Sequence, residues 1–402
     1  MDIEEELRII KRNVVDILPG LEELRKRLQE ARQQARPLKI KYGADPTAPD
    51  IHLGHTITLS KLREFQDLGH IVQFIIGDFT AMLGDPSGRN EVRKPLSEES
   101  IRKNASTYQE QIFKILDKKR TELHFNSEWF GKMSLKDTLK MASYYTVARV
   151  LERAEFKERF KKKQEISLLE FIYPLLQGYD SVMLGNDIEI GGTDQTFNLL
   201  VGRDLQRDYG KKEQIILTLP LLVGTDGIRK MSKSYGNYIG ITELPLEIYG
   251  KTMSIPDELI FPYMELLTSI SDEKINNMKK DVRDEKMNPK DAKAFLANEI
   301  VKRYHGISEA AKAGNEFDKI FKKRELPSEI PSRKYEKEKV WIIDVLVNEG
   351  LAKNKTEANR LISQGAVELD GKTITSPDFD ILMDSEHVLK VGKRRFLKIK
   401  GE

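Results

Sequence analysis

The spacing of apolar residues divides the first part of the chain into helix-like and strand-like segments. Residues 1–36 carry apolar side chains at helical spacing, interrupted at Pro19-Gly20. Leu38–Tyr42 then alternates like a strand, Thr56–Leu68 has a helical period, and Ile71–Ile76 is an apolar run typical of a buried strand. We therefore expect a strand, helix, strand unit of a parallel sheet, which binds ligands beyond the carboxyl ends of its strands.

The same alternation continues further along the chain and then stops. Ser167 and Glu170 form a capping box for a helix reaching about Leu184, and Asp187–Ile190 has the pattern of a short strand. The α/β pattern continues to about Leu222, and helical spacing dominates from Leu244 to Arg324. A polar, proline-containing stretch then precedes a last small domain. We predict an α/β fold with a Rossmann-like parallel-sheet domain, an α-helical domain and a small α+β domain. The expected boundaries are a helical segment at 1–36, the Rossmann-like domain at 37–243, the helical domain at 244–325, a linker at 326–338 and the small domain at 339–402.

Composition excludes several kinds of chemistry. The chain has 402 residues and no cysteine, so disulfides, thiolate nucleophiles and cysteine-ligated metals are impossible. Its 67 basic and 64 acidic residues leave a net charge of +3, so any binding to a polyanion must depend on local basic patches. The N-terminus is acidic, and no apolar run is long enough to span a membrane. We expect a cytoplasmic protein.

The first candidate for chemistry is the segment from Asp45 to His55, which contains His52-Leu53-Gly54-His55 at the predicted start of a helix. A helix N-terminus favours phosphate, and histidines at i and i+3 can add hydrogen bonds to the same anion. Gly54 leaves the backbone bare, so an adenine ring can approach closely. A surface helix start with incidental histidines is the alternative, and small nucleotidyltransferases share the motif.

A second candidate is the loop Arg229–Ser234, which carries Lys230 and Lys233. Two ammonium groups on a mobile loop can close over a triphosphate and neutralise the charge of departing pyrophosphate. Alone, such a loop is usually solvated surface. Together with His52-Leu53-Gly54-His55, however, it resembles the paired HIGH and KMSKS signatures of the class I aminoacyl-tRNA synthetases.

One helix face indicates which amino acid is used. Tyr173, Gln177 and Asp180 lie at i, i+4 and i+7, so they project from one face of the helix that Ser167 opens. Such a stripe is more often half-buried polar structure. In combination with Gly191-Gly192-Thr193-Asp194-Gln195, however, it resembles the tyrosine pocket of the tyrosyl-tRNA synthetases.

This resemblance implies a role for each matching residue. Those expected to act on the phosphates of ATP are Thr47, His52, His55, Thr58, Arg89, Arg93, Lys230 and Lys233. Those expected to bind tyrosine are Asp85, Tyr173 and Gln177 at the ammonium, Asp180 at the phenolic hydroxyl and Gln195 at the carboxyl side. Those expected to bind the rest of ATP are Asp45, Gly54, Gly192, Asp194 and Met231. Lys41 and Tyr42 stand where the best-known bacterial form has tyrosine and cysteine, so the resemblance gives them no role.

The resemblance also extends to the last domain, which is similar to a small RNA-binding domain of a ribosomal small-subunit protein. The bases expected to contact RNA phosphates are Lys353, Lys355, Arg360, Lys393, Arg394 and Arg395. A merely solvated surface is the alternative. The family further implies ATP with Mg²⁺, L-tyrosine and tyrosine tRNA as substrates, no structural metal in the protein, and a homodimer.

Three rival interpretations remain open at this point. A tryptophanyl-tRNA synthetase shares much of the Tyr173 to Asp180 helix but lacks the terminal RNA-binding domain. A small nucleotidyltransferase explains the histidines but neither three domains nor the lysine loop. A non-enzymatic RNA-binding descendant is expected to lose signature residues that this chain keeps.

Overall fold

The computed structural model describes residues 1–46, 50–83, 97–320, 330–336, 338–392 and 395–401. Two compact units are present. The first contains Met1–Glu243 and Ile255–Leu296, and the second contains Leu244–Ser254 and Ala297–Glu402. Within the described residues, every helix is too short or too polar to span a lipid bilayer. Thr47, Asp85, Arg89, Arg93, Lys393 and Arg394 lie outside the described residues.

The first unit is built on a six-stranded sheet. Its strands are β1 (Asp16–Leu18), β2 (Lys39–Ala44), β3 (Ile71–Ile76), β4 (Thr121–Phe125), β5 (Ile188–Gly192) and β6 (Ile215–Leu219). Their order is β1-β6-β5-β2-β3-β4, in which β2 to β6 are parallel and β1 pairs antiparallel with β6 at the edge. The expected parallel α/β sheet is therefore confirmed.

Helices connect these strands and continue beyond them. They are α1 (Ile3–Lys11), α2 (Leu21–Gln33), α3 (Leu53–Asp67), α4 (Thr80–Leu83), α5 (Glu98–Ile112), α6 (Ser127–Phe130), α7 (Leu135–Ser143), α8 (Val147–Val150), α9 (Ala154–Lys161), α10 (Leu168–Leu184), α11 (Thr196–Asp208), α12 (Pro245–Met253), α13 (Ile260–Leu267), α14 (Asp272–Arg283), α15 (Pro289–His305) and α16 (Ile307–Asp318). The predicted capping box of α10 is present, because Ser167 and Glu170 each bind the backbone N–H of the other. Helix α3 begins three residues earlier than its apolar period suggested, because His52 is its N-cap.

Residues 1–36 are not wholly helical as expected. Asp16–Leu18 forms β1, which pairs with β6 in the register Ile17 to Leu217. A strand of three residues is too short to show an alternating pattern, which is why the sequence did not indicate it.

The second unit ends in a small α+β domain. Its elements are β7 (Ser332–Tyr335), β8 (Lys339–Trp341), α17 (Ile342–Asn348), α18 (Lys355–Ser363), β9 (Val367–Leu369), β10 (Lys372–Thr373), β11 (Asp380–Leu382), β12 (His387–Val391) and β13 (Arg395–Gly401). The main sheet has the order β10-β9-β12-β13-β7, and β11 pairs with β8. The predicted linker 326–338 therefore extends too far, since β7 is the edge strand beside β13. Its sequence is polar because the strand is largely exposed, and a polar edge strand lacks the alternation that marks a half-buried one.

Candidate active site

The candidate site lies where the connections of the sheet diverge. From β2 the chain proceeds to β3 and β4 on one side, whereas β5 and β6 lie on the other side. The carboxyl ends of β2 and β5 therefore border the crevice in which open parallel sheets bind ligands. Asp45 follows β2, and Thr193-Asp194-Gln195 follows β5.

The two histidines of His52-Leu53-Gly54-His55 form the start of α3. The Gly54 N–H donates to Nδ1 of His52 (3.2 Å), and the His52 N–H donates to Nδ1 of His55 (3.3 Å). Because both Nδ1 atoms accept, each neutral ring carries its proton on Nε2. Burial lowers the pKa of His52 to about 2 and that of His55 to about 4, with the charge of Lys233 acting in the same direction. The stacked rings, 3.8 Å apart, therefore provide two neutral N–H donors at a helix N-terminus.

Gly54 has a local steric role in addition to the one predicted. A Cβ at this position would lie 3.0 Å from two atoms of the His52 ring and 3.7 Å from Cβ of Met231. The missing side chain thus leaves room for the His52 imidazole. Thr58, a turn beyond His55, is buried within α3.

The loop containing Lys230 and Lys233 packs against this helix start. Its base is fixed by hydrogen bonds from the Leu53 N–H to the carbonyl of Ile239 (2.9 Å) and from the Ile241 N–H to the carbonyl of Ile51 (3.0 Å). The Met231 N–H donates to the carbonyl of Leu222 (2.7 Å). The lysine loop and the histidine motif, distant in sequence, are therefore neighbours in space.

Both lysines of the loop have carboxylate partners. Nζ of Lys230 lies 2.6 Å from Oδ2 of Asp194, and Nζ of Lys233 lies 3.4 Å from Oδ2 of Asp50. Gly192 leaves space for the first pair, because a Cβ there would lie 2.8 Å from Oδ1 of Asp194. The partner of Lys233, Asp50, was not predicted from the sequence.

The polar face of α10 meets Asp45. The Tyr173 hydroxyl donates to Oδ2 of Asp45 (3.0 Å), and the Thr80 hydroxyl donates to its Oδ1 (2.7 Å). Gly77 makes this possible, since a Cβ there would lie 2.1 Å from Oδ1 of Asp45. Asp45, which is predicted to bind adenosine, is thus hydrogen-bonded directly to Tyr173, which is predicted to bind tyrosine.

Gln177 and Gln195 meet through a residue that the sequence did not suggest. The side-chain N–H₂ of Asn198, a buried residue of α11, donates to Oε1 of Gln177 (3.0 Å) and to Oε1 of Gln195 (2.9 Å). Asn198 therefore orients both side-chain amides through their oxygens. No sequence motif marks Asn198, because its contacts form only when α10 packs against α11.

Asp180 is the deepest member of the polar face, with 3 % of its surface exposed. The indole N–H of Trp129 donates to its Oδ1 (2.9 Å), and the side chain of Asn126 approaches its Oδ2 at 3.5 Å. Burial raises the pKa of Asp180 to about 7, against the opposing effects of Lys41 and these two hydrogen bonds. Asp180 can therefore change its protonation state near neutral pH. Trp129 and Asn126, which follow β4, were not predicted.

The predicted RNA-binding residues lie on the small domain, interleaved with acids. Lys355 lies 3.5 Å from Asp344 and 4.9 Å from the centre of the Trp341 ring, and Arg360 lies 3.6 Å from Glu357. The backbone N–H of Lys353 donates to Oε2 of Glu357 (2.8 Å), and the Arg395 guanidinium donates to the carbonyl of Leu351.

Comparisons with known proteins decide between the rival families. A family model described as tRNA synthetases class I (W and Y) matches residues 33–322, and one described as the tyrosine–tRNA ligase SYY-like C-terminal domain matches residues 323–399. A tyrosine–tRNA ligase of Carboxydothermus hydrogenoformans is 54% identical, over 99% of this chain and 98% of that protein. That of Thermotoga maritima is 53% identical, over 100% of this chain and 98% of that protein. The chain belongs to the tyrosyl-tRNA synthetases.

Solved structures of this family share the fold. A tyrosyl-tRNA synthetase from Archaeoglobus fulgidus, complexed with L-tyrosine, is 25% identical with a TM-score of 0.62, covering 78% of this chain and all of that one (100%). A truncated mitochondrial tyrosyl-tRNA synthetase from Aspergillus nidulans is 23% identical with a TM-score of 0.64, covering 78% and 94%. Membership of the family rejects the tryptophanyl, nucleotidyltransferase and non-enzymatic alternatives.

Proposed function

We propose that the protein activates L-tyrosine with ATP, giving tyrosyl-adenylate and pyrophosphate, and then transfers the tyrosyl group to the terminal adenosine of its tRNA. The observation that carries this proposal is the continuous polar face of α10. It runs from Tyr173, hydrogen-bonded to Asp45 at the carboxyl end of β2, to the buried carboxylate of Asp180. An amino acid lying along this face has its reacting end near the phosphate elements and its side chain at Asp180.

In the first step, the carboxylate of tyrosine attacks the α-phosphate of ATP in line. A carboxylate is already a nucleophile, so the enzyme needs no covalent intermediate and acts by positioning and charge stabilisation. Nε2–H of His52 and of His55 donate to the phosphates, and Lys230 and Lys233 neutralise the leaving pyrophosphate. Thr47, Thr58, Arg89 and Arg93 complete this group by their place in the family motifs.

The remaining predicted site residues bind the adenosine part of ATP or the tyrosine. Asp45, Gly54, Gly192, Asp194 and Met231 bind the nucleoside. Asp85, Tyr173 and Gln177 hold the ammonium of tyrosine, Gln195 faces its carboxyl side, and Asp180 accepts its phenolic hydroxyl. Phenylalanine is rejected because it would leave the buried Asp180 without that partner.

Mg²⁺ enters with ATP and is held mainly by the phosphates and water. Within the described residues, no three His, Asp or Glu side chains are grouped so that they could hold a metal ion. The small terminal domain contributes to tRNA binding through Lys353, Lys355, Arg360 and the basic residues 393–395. The reaction takes place in the cytoplasm.

The enzyme acts as a homodimer. In support, helices α7 to α10 all expose large apolar side chains, and such side chains mark an interaction surface when they form a contiguous patch. These are Leu135, Leu139, Val147, Phe160 and Leu168. Sedimentation at micromolar concentration tests this part, and a monomer would contradict it.

Pyrophosphate exchange tests the substrate assignment. The purified chain, ATP and labelled pyrophosphate are incubated with each of the twenty amino acids in turn. We expect exchange with tyrosine alone. Exchange that requires tryptophan, or none with any amino acid in a folded protein, would reject the proposal.

A further inference from the structure

A buried ion pair lies beneath the tyrosine site. Lys41 on β2 and Glu189 on β5 are register partners on neighbouring strands, with 0 % and 2 % of their surfaces exposed. Nζ of Lys41 lies 2.8 Å from Oε1 of Glu189. Charged groups are rarely buried so completely, because removing them from water is costly even when they are paired.

Every donor of Lys41 is already used inside the protein. Besides Glu189, Nζ donates to Oγ of Ser181 (2.6 Å) and to the backbone carbonyl of Gln177 (2.9 Å). An ammonium group has three N–H bonds, so none remains for a substrate. Lys41 thus cannot replace a hydroxyl-recognising side chain by direct contact.

Glu189 is held just as completely. Its Oε2 accepts from Oγ of Ser181 (3.0 Å) and from the side-chain amide of Gln214. Gly202 of α11 provides the space, since a Cβ there would lie 2.8 Å from Nε2 of Gln214 and 3.1 Å from Oε2 of Glu189. Side chains from α10 and from the segment just before β6 therefore hold the pair, and α11 leaves the space for it.

The pair is attached to α10 on both sides of Asp180. Gln177 precedes Asp180 by one turn, and Ser181 follows it directly. The two charges also act on Asp180 in opposite directions, because Lys41 favours its ionised form and Glu189 disfavours it. Among the described residues, the hydrogen-bond donors to Asp180 are the neutral side chains of Trp129 and Asn126.

We propose that Lys41 and Glu189 are positioning residues for amino-acid specificity: without touching the substrate, they hold the Gln177 to Ser181 turn of α10 and, through their opposed charges, balance the charge of Asp180, the acceptor for the phenolic hydroxyl. This inference rests on the role proposed above for Asp180.

The test compares charge-removing variants by the pH dependence of kcat/KM for tyrosine in pyrophosphate exchange. At low pH kcat/KM should fall as Asp180 becomes protonated, and this part of the pH profile is its acid limb. Lys41→Met removes the positive charge and should move the acid limb to higher pH. Glu189→Gln, which is nearly isosteric, removes the negative charge and should move it to lower pH. Each shift should be about one pH unit, the scale of a neighbouring charge in a protein interior. The double variant should fall between the two.

Lys61→Met is the matched control. Lys61 is also a buried lysine with a carboxylate partner, Glu64 at 2.5 Å, but it binds the backbone of α1. We expect this change to lower thermal stability and leave the acid limb in place. If Lys41→Met does not fold, the Glu189→Gln shift decides alone.

Opposite shifts of the two single variants support the inference, because a purely structural role would weaken both without moving their limbs apart. Shifts in the same direction, or none, overturn it. Asp180→Asn, measured in the same assay, separates this failure from that of the underlying role. If that variant loses the acid limb while the pair variants leave it unmoved, only the role of Lys41 and Glu189 is rejected. If it keeps the limb, both are rejected.

Discussion

Nζ of Lys230 lies 2.6 Å from Oδ2 of Asp194, so a lysine proposed for pyrophosphate is bound to a carboxylate proposed for adenosine. Lys233 is held similarly by Asp50 at 3.4 Å. Both contacts join the loop to elements at the carboxyl ends of the sheet strands. Since phosphate carries more charge than a carboxylate, ATP can replace these partners and draw the two lysines onto its own phosphates.

The first prediction concerns Lys233. Lys233→Ala should slow formation of tyrosyl-adenylate by roughly 100-fold or more, because the lost charge acts on pyrophosphate as it departs. The dissociation constant of tyrosine should change little. Single-turnover kinetics of adenylate formation measure the rate, and equilibrium dialysis measures the affinity.

Arg229→Ala is the control for Lys233→Ala. Arg229 belongs to the same loop but is bonded to Asp226 (3.2 Å) and lies over the ring of Tyr235 (4.5 Å). The Arg229→Ala variant should retain most of the rate of adenylate formation, although this change also removes a positive charge. Equal losses in both variants would mean that general loop charge, rather than Lys233, is responsible.

A second prediction concerns Gly77. In Gly77→Ala the new methyl group would lie 2.1 Å from Oδ1 of Asp45 and 2.4 Å from Oγ1 of Thr80, so the carboxylate must move. We expect kcat/KM for ATP to fall by about tenfold or more, the scale of a lost hydrogen bond to a charged group. Gly20→Ala, where nothing lies within 4 Å of the added Cβ, should leave it unchanged. Full activity of Gly77→Ala would show that the position of Asp45 is not critical.

The motifs and the sheet could be predicted from the sequence because they depend on local spacing. The capping box of α10 and the strand Ile71–Ile76 were predicted with their observed ends. Asn126, Trp129 and Asn198 could not be, since each acquires its partner only when separate elements pack together. The short or polar edge strands β1 and β7 were missed because their pairing depends on distant strands rather than on their own pattern.

The third prediction concerns the small terminal domain. A chain ending at residue 330 lacks β7 to β13, and should keep pyrophosphate exchange within about twofold while losing roughly 100-fold in tRNA charging, because phosphate contacts supply much of the affinity for RNA. A chain ending at Glu338 would instead leave β7 without its partner β13. Loss of both activities in a folded truncated protein would contradict the separation of roles.

The fourth prediction concerns His387 in that domain. Its Nδ1 lies 2.6 Å from Asp370 and its Nε2 lies 2.8 Å from the carbonyl of Leu382, so both nitrogens face acceptors. The hydrogen bond to Asp370 raises the pKa of His387. The stabilisation is therefore complete below the unfolded pKa of His and is lost as pH rises through the folded value. His387→Gln should lower the melting temperature at pH 6 more than at pH 9; equal losses would contradict a charged histidine.

The last prediction concerns Asp180, whose carboxylate is proposed to accept the phenolic hydroxyl. Because burial raises its pKa to about 7, kcat/KM for tyrosine should fall as pH drops below that value, when the acceptor becomes protonated. Asp180→Asn should abolish this limb. It should also reduce the preference for tyrosine over phenylalanine by about tenfold or more, since the carboxylate that penalises a missing hydroxyl is gone. An unchanged preference would mean that the hydroxyl is recognised elsewhere.

Stability gives a second readout of the opposite sign to activity. The pKa of Asp180 is raised from 3.8, so the wild-type protein loses stability as pH rises through about 7, and Asp180→Asn should become relatively more stable between pH 4 and pH 8. Asp187→Asn is the control. That carboxylate is also buried, but hydrogen bonds from Arg36 and from the Lys39 N–H outweigh burial and lower its pKa. Its stabilisation is present above the unfolded pKa, so Asp187→Asn should be less stable than wild type at pH 8. Relative to wild type, the melting temperature of Asp187→Asn should stay lower by a nearly constant amount from about pH 5 to pH 8, whereas that of Asp180→Asn should rise. If Asp180→Asn shows no such rise, Asp180 is not a buried carboxyl group with a raised pKa.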